Sequence, residues 1–222
     1  MKTTALFLTL LLASQTAYSA NYCSTPGSKV FESIVRIAGD DGSNGSGIVI
    51  AKNLILTAAH VLDEAQIPYI GYDGTFKEGR MLLIDEENDL ALLEAPTGDL
   101  KPLAIGTEDM EINDKVWAVG YPRATVLTMT PGVLENDDGM TLHTSAEIDS
   151  GDSGGGLIGC QQGKHVLAGM LRGYGAIKRG GEYIKIANYS ASVAARSITE
   201  FIQINNMLAT NQIQLSPLET KY

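Results

Sequence analysis

A serine hydroxyl attacks a carbonyl near neutral pH only with help. It needs a base to take its proton, a third group to hold that base, and donors for the oxyanion that forms. The sequence offers a candidate for each role. Gly151-Asp152-Ser153-Gly154-Gly155-Gly156 surrounds a serine with glycines. Such a stretch turns sharply, exposes the hydroxyl, and lets a substrate carbonyl approach the Gly151 and Ser153 N–H groups. Thr57-Ala58-Ala59-His60 brings an apolar run into small residues and then an imidazole. Asn88-Asp89-Leu90-Ala91-Leu92-Leu93 places one acid ahead of a hydrophobic strand, where its carboxylate can be sheltered. Taken singly, each has a plainer reading as a glycine turn, a structural histidine or a solvated turn acid.

The elements that must position these residues read as short strands. Ser33 to Ile37, Gly47 to Ala51, Asn53 to Thr57, Met81 to Ile84, Leu90 to Leu93, Val116 to Val119 and Val166 to Met170 form short, largely apolar runs of four to six residues. Gly, Asn, Asp or Pro lies between them, which is the pattern of an all-β sandwich or barrel. The stretch from Ser190 to Leu208 has no Gly or Pro, and Val193, Ala194, Ser197, Ile198, Phe201 and Ile202 recur at helical spacing. That periodicity predicts a C-terminal helix over about 190–208, followed by a loose tail over 210–222. Residues 97–102 are a plausible connection between two halves.

At the other end, Lys2 precedes an apolar run from Ala5 to Ala13 and the small-residue stretch Ala17-Tyr18-Ser19. This reads as a signal peptide over 1–19, so the remaining chain is expected in the periplasm or outside the cell. A membrane anchor would need about twice that apolar length. The net charge of −10 argues against nucleic acid or an anionic membrane as a partner, and the oligomeric state is open. Cys23 and Cys160 are the two cysteines, which in an exported chain suggests one disulfide, with two buried thiols as the alternative. The three histidines are scattered and neither cysteine has a partner at ligand spacing. No metal or other cofactor is therefore expected.

In their order of histidine, acid and serine, the three motifs resemble those of trypsin/chymotrypsin-like serine proteases. Gly45-Ser46-Gly47-Ile48-Val49-Ile50 looks like the strand before the histidine, and Val116-Trp117-Ala118-Val119-Gly120-Tyr121-Pro122 like the opening of the second barrel in bacterial trypsin-like and HtrA-type enzymes. The HtrA likeness is to the catalytic domain without its PDZ domains. The resemblance implies a protease domain over 20–209, made of two packed six-stranded antiparallel barrels over about 30–100 and 101–190. It implies a secreted serine endopeptidase acting on proteins or peptides, with Ser153 as nucleophile, His60 as base, Asp89 as its orienting acid, and the Gly151 and Ser153 N–H groups as oxyanion donors. Relatives often carry a bridged cysteine just after the serine, at the place of Cys160. A catalytically silent binding module and a serine esterase are the alternatives. Gly151-x-Ser153-x-Gly155 matches the short esterase pattern, but an esterase places its histidine last.

Two further expectations rest on the same likeness. Asp152 matches an acid that a freed amine neutralises in trypsins, and here its partner is an amine or a cationic side chain. Glu147, six residues before Ser153, matches the floor of the specificity pocket and would select basic residues before the scissile bond. Gly181 matches a pocket wall, Tyr183 the pocket's back, and Gly173 or Tyr174 its entrance.

Overall fold

The computed structural model describes residues 23–209, so the signal peptide and the tail lie outside it. After a short helix α1 (Ser28–Phe31), seven strands form the first half. They are β1 (Ile34–Gly39), β2 (Asn44–Ala51), β3 (Leu54–Thr57), β4 (Pro68–Tyr72), β5 (Thr75–Glu78), β6 (Arg80–Asp85) and β7 (Leu90–Glu94). Their order across the sheet is β5-β4-β1-β2-β3-β7-β6. The two edge strands, β5 and β6, are separated in sequence by Gly79 alone. A Cβ on Gly79 would meet Ile70 of β4 and the carbonyl of Glu94 in β7, so the sheet curls round until its edges meet there. The expected count of six fails here because residues 68–78 form the extra hairpin β4–β5, in which β4 buries Ile70 and β5 is exposed throughout.

The second half is a closed six-stranded barrel in the order β10-β13-β12-β11-β8-β9. It comprises β8 (Lys115–Gly120), β9 (Thr128–Asp137), β10 (Thr141–Thr144), β11 (Gly156–Gln161), β12 (Lys164–Arg179) and β13 (Glu182–Ala194). The helix α2 runs over Ala195–Ala209 and therefore begins later than its periodicity implies. Residues 190–194 instead pair with β10 and β12 as the end of β13, and ladder hydrogen bonds take precedence over local helical preference.

Strand alternation divides the core in two. Val116, Ala118, Leu134, Leu142, Leu157 and Leu171 fill the barrel interior. Their neighbours Trp117, Val119 and Ile158 point outward and join Ile48, Leu56, Leu92 and Phe201 in a core shared with the first half and with α2. Fully burying side chains such as Leu56 and Leu92 stabilises the fold by roughly 1.5–3 kcal/mol each. The two halves therefore cannot part without opening this seam, and the cleft between them has a fixed shape. Cys23 and Cys160 are joined, with Cα atoms 5.7 Å apart, which ties the segment before α1 to β11.

Candidate active site

The pairing of β3 with β7 brings the first two site residues together. Thr57 lies opposite Ala91, so the chain leaving β3 and the chain entering β7 meet at one rim of the sheet. His60 follows β3 in a single 3-10 turn (Ala59–Leu62), and Asp89 immediately precedes β7. Asp89 takes a left-handed backbone (φ 58°) that turns its carboxylate back toward that rim. The His60 Nδ1 lies 2.9 Å from both Asp89 carboxylate oxygens. The His60 N–H donates to Oδ1 at 3.0 Å, and the Ala59 N–H donates to the Asp89 carbonyl at 3.2 Å. Asp89 is buried whereas the His60 side chain is half exposed. The acid thus holds Nδ1 and leaves Nε2 unengaged by it.

Ser153 sits in the turn that enters β11, across the cleft from His60. Both line one open cleft of about 470 Å³, together with Val61, Asp149, Gly151, Arg172 and Tyr174. Gly173, expected at a pocket entrance, lines it too. The Ser153 hydroxyl donates to the Arg172 carbonyl at 3.1 Å, so in this state its proton is directed at the backbone. The Arg172 side chain reaches the other way, with Nε 3.3 Å from Asp89 Oδ2. One residue of the second half therefore touches both the serine and the acid. Neither the Gly151 N–H nor the Ser153 N–H donates to another group among the described residues, so both are available to an incoming oxygen.

The serine turn is held mainly from outside. Ser46, fully buried on β2, donates its hydroxyl to the Gly151 carbonyl at 2.7 Å and accepts from the Tyr121 N–H at 2.8 Å. Its own N–H donates to the Ser153 carbonyl at 2.8 Å, and its carbonyl accepts from the Thr57 hydroxyl. Gly154 (φ 83°) packs so closely here that a Cβ would lie 2.2 Å from the Ser46 carbonyl oxygen. Any side chain at that position would displace the turn, which is why glycine is required. Sequence reading placed Ser46 on the strand before the histidine but gave it no role, since its partners Gly151, Tyr121 and Ser153 lie far away in sequence.

Asp152 is buried behind the turn. Its Oδ2 accepts from the Asp149 N–H at 2.8 Å, and no cationic side chain is paired with it among the described residues. Of the two expected partners, a cationic side chain is not found among the described residues, where a backbone donor takes that place, and the amine freed by signal cleavage lies outside them. Burial is the main cause that pushes its carboxyl up to about 6, helped by the charge of Asp149 and opposed by the hydrogen bond and by Lys185. Asp149 itself is held below the ordinary carboxylate range, first by the Ser150 N–H and then by Arg123, whose guanidinium lies 2.6 Å away.

The specificity residues do not assemble as expected. Glu147 is exposed between buried Ala146 and Ile148, outside the cleft lining, and accepts from the Asn188 N–H at 3.1 Å. Gly181 and Tyr183 lie at the exposed tip of the β12–β13 hairpin, with Tyr183 73% accessible. The physical reason is a register shift: Tyr174 pairs with Ser190 but Ala176 with Lys185, so β13 carries a long bulge over 186–189. Offsets counted from a motif fail across such a bulge.

The fold and the cleft agree with what sequence comparison finds. The family model of the trypsin-like peptidase domain matches residues 45–169, and the chain belongs to that family. Among curated relatives, the serine protease HTRA1 of Xenopus tropicalis is 31% identical over 132 residues, covering 52% of this chain and 29% of that protein. The periplasmic pH-dependent serine endoprotease DegQ of Escherichia coli is 30% identical over 158 residues, covering 61% of this chain and 35% of its own length. The chain thus spans about a third of the length of these relatives. The fold matches the crystal structure of the Rv3671c protease from M. tuberculosis in its active form, with a TM-score of 0.67, 21% identity, and 78% and 81% of the two chains covered. It also matches a serine endoprotease from Yersinia pestis, with a TM-score of 0.67, 22% identity, and 82% and 68% covered.

Proposed function

We propose that this chain is an exported serine endopeptidase that cleaves polypeptides through an acyl-enzyme. The observation that carries this reading is the His60–Asp89 contact, made at the rim of the same cleft that Ser153 and Gly151 line. Asp89 fixes the imidazole tautomer with its proton on Nδ1, so Nε2 can take the Ser153 proton as the hydroxyl attacks the scissile carbonyl. The tetrahedral oxyanion is received by the Gly151 and Ser153 N–H groups. His60 then gives the proton to the leaving amine, and water repeats the sequence to release the acid. For this to start, the Ser153 hydroxyl must leave the Arg172 carbonyl and turn to His60. No cofactor enters any step. Export is supported by the disulfide and by the periplasmic location in the relative's name.

The test is labelling of Ser153 by a fluorophosphonate, combined with cleavage of an unstructured protein. Labelling and cleavage are expected, and both should vanish in Ser153→Ala. Absence of labelling in the native protein would reduce the chain to a binding module. Hydrolysis of simple esters with no peptide cleavage would make it an esterase.

A further inference from the structure

Besides His60, two ionisable side chains line the cleft, Asp149 and Arg172. Asp149 is fully engaged, with the Arg123 guanidinium 2.6 Å away and the Ser150 N–H donating to it at 2.9 Å. Arg172 is engaged at one end only. Its Nε lies 3.3 Å from Asp89 Oδ2, and neither Nη1 nor Nη2 donates a hydrogen bond among the described residues. The side chain is 45% accessible, so these two nitrogens are open to the cleft.

The other paired arginines are arranged differently. Arg80, Arg123 and Arg196 meet their acids through the terminal nitrogens, and Arg36 meets the Ala124 carbonyl in the same way. Arg172 presents Nε to its acid and keeps its terminal fork without an acceptor. Its place is also defined. Asp89 holds the Nδ1 side of the imidazole, so Arg172 lies on that side too. The leaving amine departs past Nε2, across the ring. A substrate side chain that reaches Arg172 therefore belongs to the half that stays on the serine as the acyl-enzyme.

We infer that the terminal nitrogens of Arg172 receive a carboxylate side chain from one of the two residues preceding the scissile bond, so that acidic sequences are cut in preference to their amide counterparts. A guanidinium carries five N–H donors in a planar fork and pairs with a carboxylate through two parallel hydrogen bonds. Asp89 offsets the charge of Arg172 but leaves the terminal donors free, so the attraction acts at contact distance. The net charge of −10 repels acidic chains from afar, and the preference therefore concerns where a chain is cut more than how fast it arrives. Lys185, over the Tyr174 ring at 5.1 Å, is a second cation beside the cleft and does not line it. This inference deepens the peptidase reading and rests on it for the place of the cut.

The experiment uses peptides with one cleavable bond that carry Glu, Gln or Lys in turn at the two positions before it and the two after it. In the native protein kcat/KM for Glu should exceed that for Gln about three- to tenfold at one position before the bond, with Lys below Gln there and the advantage fading as salt is raised. The ratio is taken within each protein, so a change in overall rate cancels. Arg172→Met removes the guanidinium and keeps the backbone carbonyl, and should abolish the advantage of Glu over Gln. Lys185→Gln should retain that advantage. Anisotropy of the same labelled peptides on Ser153→Ala, with and without Arg172→Met, reads the pairing apart from chemistry. A Glu preference in binding that Arg172→Met removes, with no cleavage of any peptide by the native protein, would fault the peptidase reading and leave the Arg172 assignment standing. Equal Glu and Gln rates at both positions before the bond would overturn the assignment. So would a Glu preference that survives Arg172→Met or is lost in Lys185→Gln.

Discussion

The two sides of the cleft are built on different plans. On the His60–Asp89 side every hydrogen bond between the two residues arises within one sheet, where β3 and β7 meet, and among the described residues the second half adds only the Arg172 contact to Asp89. The Ser153 side leans on its surroundings. Its carbonyls are held by Ser46 from the other half, its hydroxyl by Arg172, and its buried acid by a backbone N–H instead of a cation. The acid–base pair is therefore preassembled, while the nucleophile's turn depends on contacts that pH and neighbouring residues can change.

Three substitutions test that contrast. The largest effect is expected for Asp89→Asn, which places the wrong imidazole tautomer before Ser153. We expect kcat to fall by a factor on the order of 10⁴, with the far-UV spectrum unchanged, in a peptide hydrolysis assay. A loss under about tenfold would mean that the preassembled pair is not what the chemistry uses.

Next comes Asp152→Asn, which keeps an acceptor for the Asp149 N–H and removes the buried charge. Folding raises this carboxyl from 3.8 to about 6, so over that interval the native protein holds a proton that the unfolded chain has released. Its favourable contribution is complete below the unfolded value and is lost as pH rises through about 6. Between about pH 4 and about pH 7 the native protein should lose up to about 3 kcal/mol relative to Asp152→Asn, read as diverging denaturant midpoints. Parallel midpoints would show that the turn does not carry this charge at a cost.

The smallest effect is expected for Ser46→Ala, which leaves the Gly151 carbonyl and the Tyr121 N–H without a partner. A loss of about 2 kcal/mol in denaturant stability is expected, with lower kcat. If both hold at native values, the bridge from β2 is not what supports the turn.

The same contrast sets what could be read from sequence. His60, Asp89, Ser153 and the all-β class were legible because each lies in a short local pattern beside a well-marked strand. Ser46 was not, because its role comes from three partners far away in sequence. The extra hairpin β4–β5 was not, because β5 is polar and exposed throughout and β4 offers the core one large aliphatic residue, Ile70, which makes no apolar run. Glu147 failed for a different reason. Its flanking Ala146 and Ile148 already alternate with it in the apolar pattern of an outward-facing residue, and an offset counted from Ser153 carries no information on which way a side chain faces. The Tyr183 and Gly181 expectations broke at a bulge, which changes register without leaving a mark in composition.

The bridge from Cys23 to Cys160 closes a covalent ring 137 positions in span, and His60, Asp89 and Ser153 all lie inside it. On the proposed function the chain exposes its own loops to its neighbours, and β5 and the loop before β9 lie on the surface. One cut anywhere within the ring opens a circle and releases nothing. The nicked molecule still carries its acid, base and nucleophile as a single covalent body, held in register by the shared core. It migrates as one band until the bridge is reduced and as two bands afterwards. For the proposed peptidase the disulfide would thus confer tolerance of self-inflicted damage, ending in any compartment that reduces it.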